Sequence, residues 1–199
     1  MCLTLNQGSS VPKKPASDLV AILSDLIALP SPYPPGTSVE ICAYAAKRLK
    51  KAGYRVEVVA KTKHVDNVVA RLKGKAKGPV VAFNAHVDTV GIGERANWRS
   101  DPFKALVKGG LVYGLGAGNC KGSMAVQIWL AEEIARRGGP AKGELIFTFV
   151  ADEENLGPDG MSFLRDSGRV RPDALILGAQ TENNLIVAER GVMWAKITT

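Results

Sequence analysis

Two nearly continuous apolar runs, Pro79–Ala85 (PVVAFNA) and Leu145–Ala151 (LIFTFVA), constrain this chain more than anything else in it. A strand with one wet face alternates apolar and polar residues, whereas a run of this kind belongs to a strand covered on both faces. Between them lies a helical pattern, Gly122–Arg137, with Met124, Ile128, Ala131 and Ala135 on one side and Gly138-Gly139 as its stop. Buried strands alternating with helices predict an α/β fold: a layered, mostly parallel sheet with helices on both faces.

The flanking segments fit that frame. Leu19, Ile22, Leu23, Leu26 and Ile27 recur at helical spacing, giving a helix capped near Ser17 and ended by Pro30. A second helix is expected from Ser38 to Ala52, with Gly53 after it. Tyr54–Lys61 and Asn67–Leu72 alternate, which predicts a half-exposed antiparallel pair. Lys104–Tyr113 reads as a hairpin turning at Gly109-Gly110. A short helix over Met161–Asp166 leads to a strand at Ala174–Leu177, and Leu185–Glu189 and Met193–Thr199 read as two further strands.

Composition excludes several classes. Of 199 residues, 46% are apolar and 23% charged, the balance of a folded globular domain and not of a disordered or coiled-coil chain. No apolar run reaches the length of a membrane span, and the N-terminus lacks a basic region leading into an apolar one, so neither membrane nor secretion is expected. Three cysteines, Cys2, Cys42 and Cys120, are too few and too scattered for a disulfide framework, which points to a reducing cytoplasm. The net charge of +7 is concentrated between Lys47 and Lys77, where eleven Lys or Arg face only Glu57 and Asp66. With few aromatics among them, these lysines read as a solvated face and not as a nucleic-acid surface.

In an open α/β sheet, function gathers beyond the carboxyl ends of the strands. Three polar groups fall there: Asn84-Ala-His86-Val-Asp88, Asp152-Glu153-Glu154 and Gly178-Ala-Gln180-Thr181. His86 and Asp88 stand at strand spacing, so an Asp88 carboxylate can orient the imidazole by accepting its second N–H. Glu153 and Glu154 reach one site only if the strand has already broken, and Asn155-Leu-Gly157-Pro158 supplies the break. The turn Gly114-Leu-Gly-Ala-Gly-Asn119-Cys-Lys-Gly122 opens the long helix. Its GxGxG spacing is not the GxGxxG of a dinucleotide loop, and it follows a hairpin and not the first strand of a βαβ unit.

The order of these pieces carries more than any one of them. NAHVDTV, then Trp98 and Asp101-Pro-Phe103, then GLVYGLGAGNCKGSMA, ADEENLGPDG, LILGAQT and ERGVMWAKIT succeed one another over about residues 17–199, and the succession resembles the M20 family of metallohydrolases. The resemblance implies a zinc-exopeptidase-like catalytic domain that hydrolyses a peptide or N-acyl amide bond with two zinc ions; cobalt or manganese would also suit the ligands. By position it makes His86 a metal ligand, Asp88 its orienting carboxylate, Glu153 the general base and Glu154 a metal ligand. It also implies a cis peptide between Asn119 and Cys120; Cys120 itself reads as a small buried filler and not as a ligand.

Two positions depart from the family pattern. Asn119 stands where an aspartate bridging both metals is expected, and Ala179-Gln180-Thr181 stands where a second acidic ligand is expected. An amide offers a carbonyl oxygen but no charge, so Asn119 is at best a weak ligand and reduced metal occupancy is anticipated. The resemblance further divides the chain into a tail (1–16), the N-terminal half of a catalytic domain (17–190) and the first strand of a dimerisation domain (191–199). On that reading the chain is incomplete: a last histidine ligand lies beyond residue 199, and self-association or a longer natural chain is expected. The substrate would be a small amide or short peptide. The competing expectation is a non-catalytic relative that keeps the fold as a binding or assembly module.

Overall fold

A computed structural model describes residues 13–181 and 184–188. Its elements in chain order are α1 (Lys13–Ile27), α2 (Val39–Lys51), β1 (Arg55–Ala60), β2 (Asp66–Lys73), β3 (Ala76–His86), β4 (Leu106–Lys108), β5 (Leu111–Tyr113), α3 (Lys121–Arg136), β6 (Lys142–Val150), α4 (Met161–Asp166) and β7 (Ala174–Leu177). The main sheet has the order β1-β2-β6-β3-β7. β6, β3 and β7 pair in parallel, and β2 is antiparallel to both β1 and β6, so β2 alone runs against the others.

The two apolar runs are the centre of this sheet. β3 and β6 lie side by side, with Phe83 opposite Phe147 in the register, and both faces of the pair are covered. On one face α1, α2 and α3 bring Ile22, Leu26, Ile41, Leu49, Met124 and Ile128 onto Val68, Ala70, Ala85, Phe147 and Phe149. The Phe83 and Phe147 rings stack at 4.9 Å, and Tyr54 meets Phe147 edge-on at 5.7 Å. A bidentate ion pair, Arg48 Nε and Nη2 to Glu132 at 2.7 and 2.8 Å, ties α2 to α3 across the outside of the helical layer. The opposite face is thinner: Leu164 of α4 and Val170 cover Val69, Ala82, Ile146 and Val150.

The hairpin forms as expected. β4 and β5 join through Gly109 and Gly110, both with positive φ (60° and 78°), the backbone that a two-residue turn of this kind requires. Three expectations need correction. β2 is not half-exposed: it sits between β1 and β6 with Asn67, Val68, Val69 and Ala70 all buried, because a central strand has no wet face. α1 begins at Lys13, four residues before the cap expected at Ser17. Residues 184–188 form no strand; Leu185 and Val187 are 86% and 89% exposed, with no neighbouring strand among the described residues to supply a ladder. The strand expected at Met193–Thr199 lies outside the described residues. Among those residues no helix is long and apolar enough to cross a membrane.

Candidate metal centre

His86 is the last residue of β3, and β6 ends beside it at Val150. After Val150 the chain leaves the sheet sharply: Asp152 has a φ of 64° and residues 153–156 turn. This break frees Glu153 and Glu154 from the alternation of a strand and lets both face His86. The loop is pinned at its two ends by Asn67 of β2. Its Oδ1 accepts the Ala151 N–H at 3.0 Å and its Nδ2 donates to the Asp159 carbonyl at 2.9 Å. Asp152 closes the loop internally, its carboxylate accepting the Asp159 N–H at 3.1 Å. The third contributor is the turn before α3, which presents Asn119; the Asn119–Cys120 peptide is cis.

These elements bring together all five residues that the sequence singles out. The ligand atoms of His86, Glu153 and Glu154 lie within 4.8 Å of one another. His86 Nε2 is 3.0 Å from Asn119 Oδ1 and 3.6 Å from Glu153 Oε2. Asn119 in turn donates its Nδ2 to Glu154 Oε1 at 2.9 Å. Behind the imidazole, Nδ1 meets the Asp88 carbonyl at 3.0 Å and its carboxylate Oδ1 at 3.5 Å. Asp88 is 1% exposed, and this Oδ1 has no hydrogen bond, so the imidazole edge is its natural partner.

The electrostatics follow from that packing. Burial by itself would lower the pKa of His86, but the Asp88 carboxylate beside Nδ1, with Cys120 and Asn119 alongside, overrides it and pushes the pKa up to about 11. Burial raises Glu154, and its neighbours Glu153 and Asp88 raise it further, against the pull of His86 and the Asn119 amide. A buried nitrogen ringed by acceptors and crowded carboxylates is a place where a cation is favoured; a metal ion and a proton compete for it.

The donor set fits one divalent ion. One imidazole and two carboxylates converge there and bring two negative charges. It does not fit two. Asp88 is committed to His86 and to the Glu154 backbone, Asp152 to its own loop, and Asn119 is neutral with its N–H side turned to Glu154. Gln180, at the other position where an acid is expected, is a second amide: a Cβ on Gly118 would stand 2.7 Å from its Nε2. Cys120 is buried as part of the main core, its Sγ donating to the Gly178 carbonyl at 3.4 Å, which fits a packing role.

The sequence profile of peptidase family M20/M25/M40 matches residues 82–193, which contain His86, Asp88, Asn119, Glu153 and Glu154. The chain belongs to that family. Among curated proteins it is 35% identical over 173 residues to the succinyl-diaminopimelate desuccinylase of Bordetella petrii, covering 85% of this chain and 44% of the relative. It is 34% identical over 144 residues to the enzyme of that name from Acinetobacter baylyi, covering 72% and 37%. The chain thus spans less than half the length of the M20 relatives it matches. Solved structures share the fold. An M20 metallo-carboxypeptidase of Sulfolobus solfataricus superposes with a TM-score of 0.70 at 19% identity, over 81% of this chain and 37% of that one. Human carnosine dipeptidase 1 gives 0.68 at 21%, over 82% and 38%. A dinuclear metal-binding M20 peptidase of Bacillus subtilis gives 0.61 at 24%, over 83% and 43%.

Asn67 and Asp159 were not singled out from the sequence, and Asp152 only as part of the Asp152-Glu153-Glu154 group, yet the three hold the glutamate loop in place. One signal was available: Asn67 directly precedes the apolar Val68-Val69-Ala70 at the start of its strand, and a buried amide in a sheet needs partners for its polar atoms.

Proposed function

We propose that this chain is the N-terminal half of the catalytic domain of a metal-dependent hydrolase of peptide or N-acyl amide bonds. The observation that carries the reading is the convergence of His86, Glu153 and Glu154 at the ends of two parallel strands. A bound divalent ion, with zinc the first candidate and cobalt or manganese next, would polarise the amide carbonyl and make water acidic enough to lose a proton. His86 and Glu154 would hold that ion, with Asn119 as a weak third donor. Glu153, whose side chain is half exposed, would take the proton as water adds to the carbonyl carbon, and return it to the nitrogen as the C–N bond breaks. Asp88 orients the imidazole. Because curated relatives are succinyl-diaminopimelate desuccinylases, an N-succinyl amide is the first substrate to offer, followed by N-acyl amino acids and dipeptides.

The far side of the substrate site, and a cover for the open edge of β7, would come from the rest of a longer chain or from a second copy. A second reading, a non-catalytic module that keeps the fold, is favoured by the neutral Asn119 and Gln180. Elemental analysis after dialysis against trace zinc tests the metal site: zinc retained by the wild type and lost in His86→Ala supports it, and a folded wild type without zinc overturns it. With metal bound, amide hydrolysis that disappears in Glu153→Gln supports the hydrolase, and metal binding without turnover of any of these substrates favours the module.

A further inference from the structure

We infer that this centre is built for a single divalent ion, and that the Asn119 amide is what excludes a second. The inference rests on the proposed metal site and concerns how many ions it holds. Asn119 bridges the two ends of the cluster: its Oδ1 faces His86 Nε2 at 3.0 Å and its Nδ2 donates to Glu154 Oε1 at 2.9 Å. An NH2 group has no lone pair to give a metal. By donating to Glu154 it also presents positive charge where a bridging anion would have to stand. Gln180, packed on Gly118 immediately before Asn119, adds another neutral group on that side.

The charge count points the same way. Glu153 and Glu154 are the two carboxylates gathered with His86 into one cluster among the described residues; Asp88 stands behind the imidazole, at its Nδ1, and Asp152 turns into its own loop to accept the Asp159 N–H. One dication is balanced by this set. Two would leave an uncompensated double charge beside a half-buried cluster, which is strongly unfavourable. An aspartate at 119 would reverse both effects. It would add the missing charge, and without an ion it would face Glu154 as carboxylate against carboxylate instead of as donor to acceptor.

The test is zinc and manganese stoichiometry on the folded chain, for the wild type and for the double variant Asn119→Asp/Gln180→Glu. Counts come from elemental analysis after gel filtration, with manganese EPR to tell an isolated ion from a coupled pair and circular dichroism to verify folding. One ion in the wild type with an uncoupled spectrum, and two in the double variant with a coupled one, is the expected result. The double variant should also gain more thermal stability from zinc than the wild type does, because its metal-free state is the repelled one. Two ions in the wild type overturn the single-ion inference and leave the metal site standing. One ion in both overturns the role given to the amides. No ion in either folded protein removes the metal site itself, and with it the proposal above.

Discussion

The carboxylate of Asp88 accepts the backbone N–H of Glu154 at 3.0 Å, through Oδ2, while its Oδ1 stands 3.5 Å from His86 Nδ1. One buried side chain therefore sets both the imidazole and the loop that carries the glutamates. Asp88→Ala should lower metal affinity by about 10–100-fold, as loss of an orienting partner does. It should also destabilise the fold by about 1–3 kcal/mol, through the N–H of Glu154 left unpaired. Competition with a chromophoric chelator and thermal melts read the two effects separately. Asp88→Asn keeps an acceptor for Glu154 and should recover most of the stability but not the affinity.

Gly157 stands against Asp152 so closely that a Cβ there would overlap the carboxylate. That carboxylate accepts the Asp159 N–H, and the Asp152 carbonyl accepts the Gly157 N–H at 2.9 Å. Gly157→Ala should push the loop outward and separate Glu153 and Glu154 from His86. The expected result is weaker metal binding with a stability loss of about 1–3 kcal/mol, the usual cost of overpacking. Gly91→Ala, where a Cβ meets nothing within 4 Å, is the control and should change neither.

What the sequence made legible follows burial. β3 and β6 are covered on both faces, so their residues read as apolar runs; α1, α2 and α3 lie in one layer and bury one side each, so each shows a stripe. β2 was misjudged because Asn67 and Arg71 mimic the polar positions of a half-wet strand. In the fold Asn67 is buried and Arg71 lies at the rim, beside Glu144 at 3.7 Å. Residues 184–188 have the apolar composition of a strand, but strand formation needs a partner, and a partner is not a local property. The glutamate pair was readable because Gly157-Pro158 announces a break. The clasp of Asn67 on Ala151 and Asp159 joins residues 84 and 92 positions apart, a distance at which no local pattern speaks.

Phe147 is the keystone of the helical face, fully buried, stacked on Phe83 and met edge-on by Tyr54. Phe147→Ala should cost about 3–5 kcal/mol, the range for emptying an aromatic site in a core. Chemical denaturation checks this. Phe147→Leu fills most of the volume and should cost clearly less.

Lys121 gives the pH dependence. It is 0% exposed, its Nζ donates to the Leu29 carbonyl at 2.8 Å, and burial pushes its pKa down to about 8 from an ordinary value near 10.5. Between those values the unfolded chain holds a proton that the folded chain has released. Stability contributed by this group therefore rises with pH through about 8 to 10.5, and below 8, where both states are charged, it adds no slope. Across the full window this amounts to about 3 kcal/mol. Lys121→Met lacks this group but keeps the opposing slope of His86, which the fold holds protonated up to about 11, so the stability of the wild type relative to Lys121→Met should climb across the window. Urea denaturation between about pH 7.5 and about 9.5, below the range in which tyrosines ionise, reads the difference directly. A wild-type slope equal to that of Lys121→Met would mean the buried amine keeps its proton through the Leu29 carbonyl, and that the α1–α3 junction carries a charge at every pH tested.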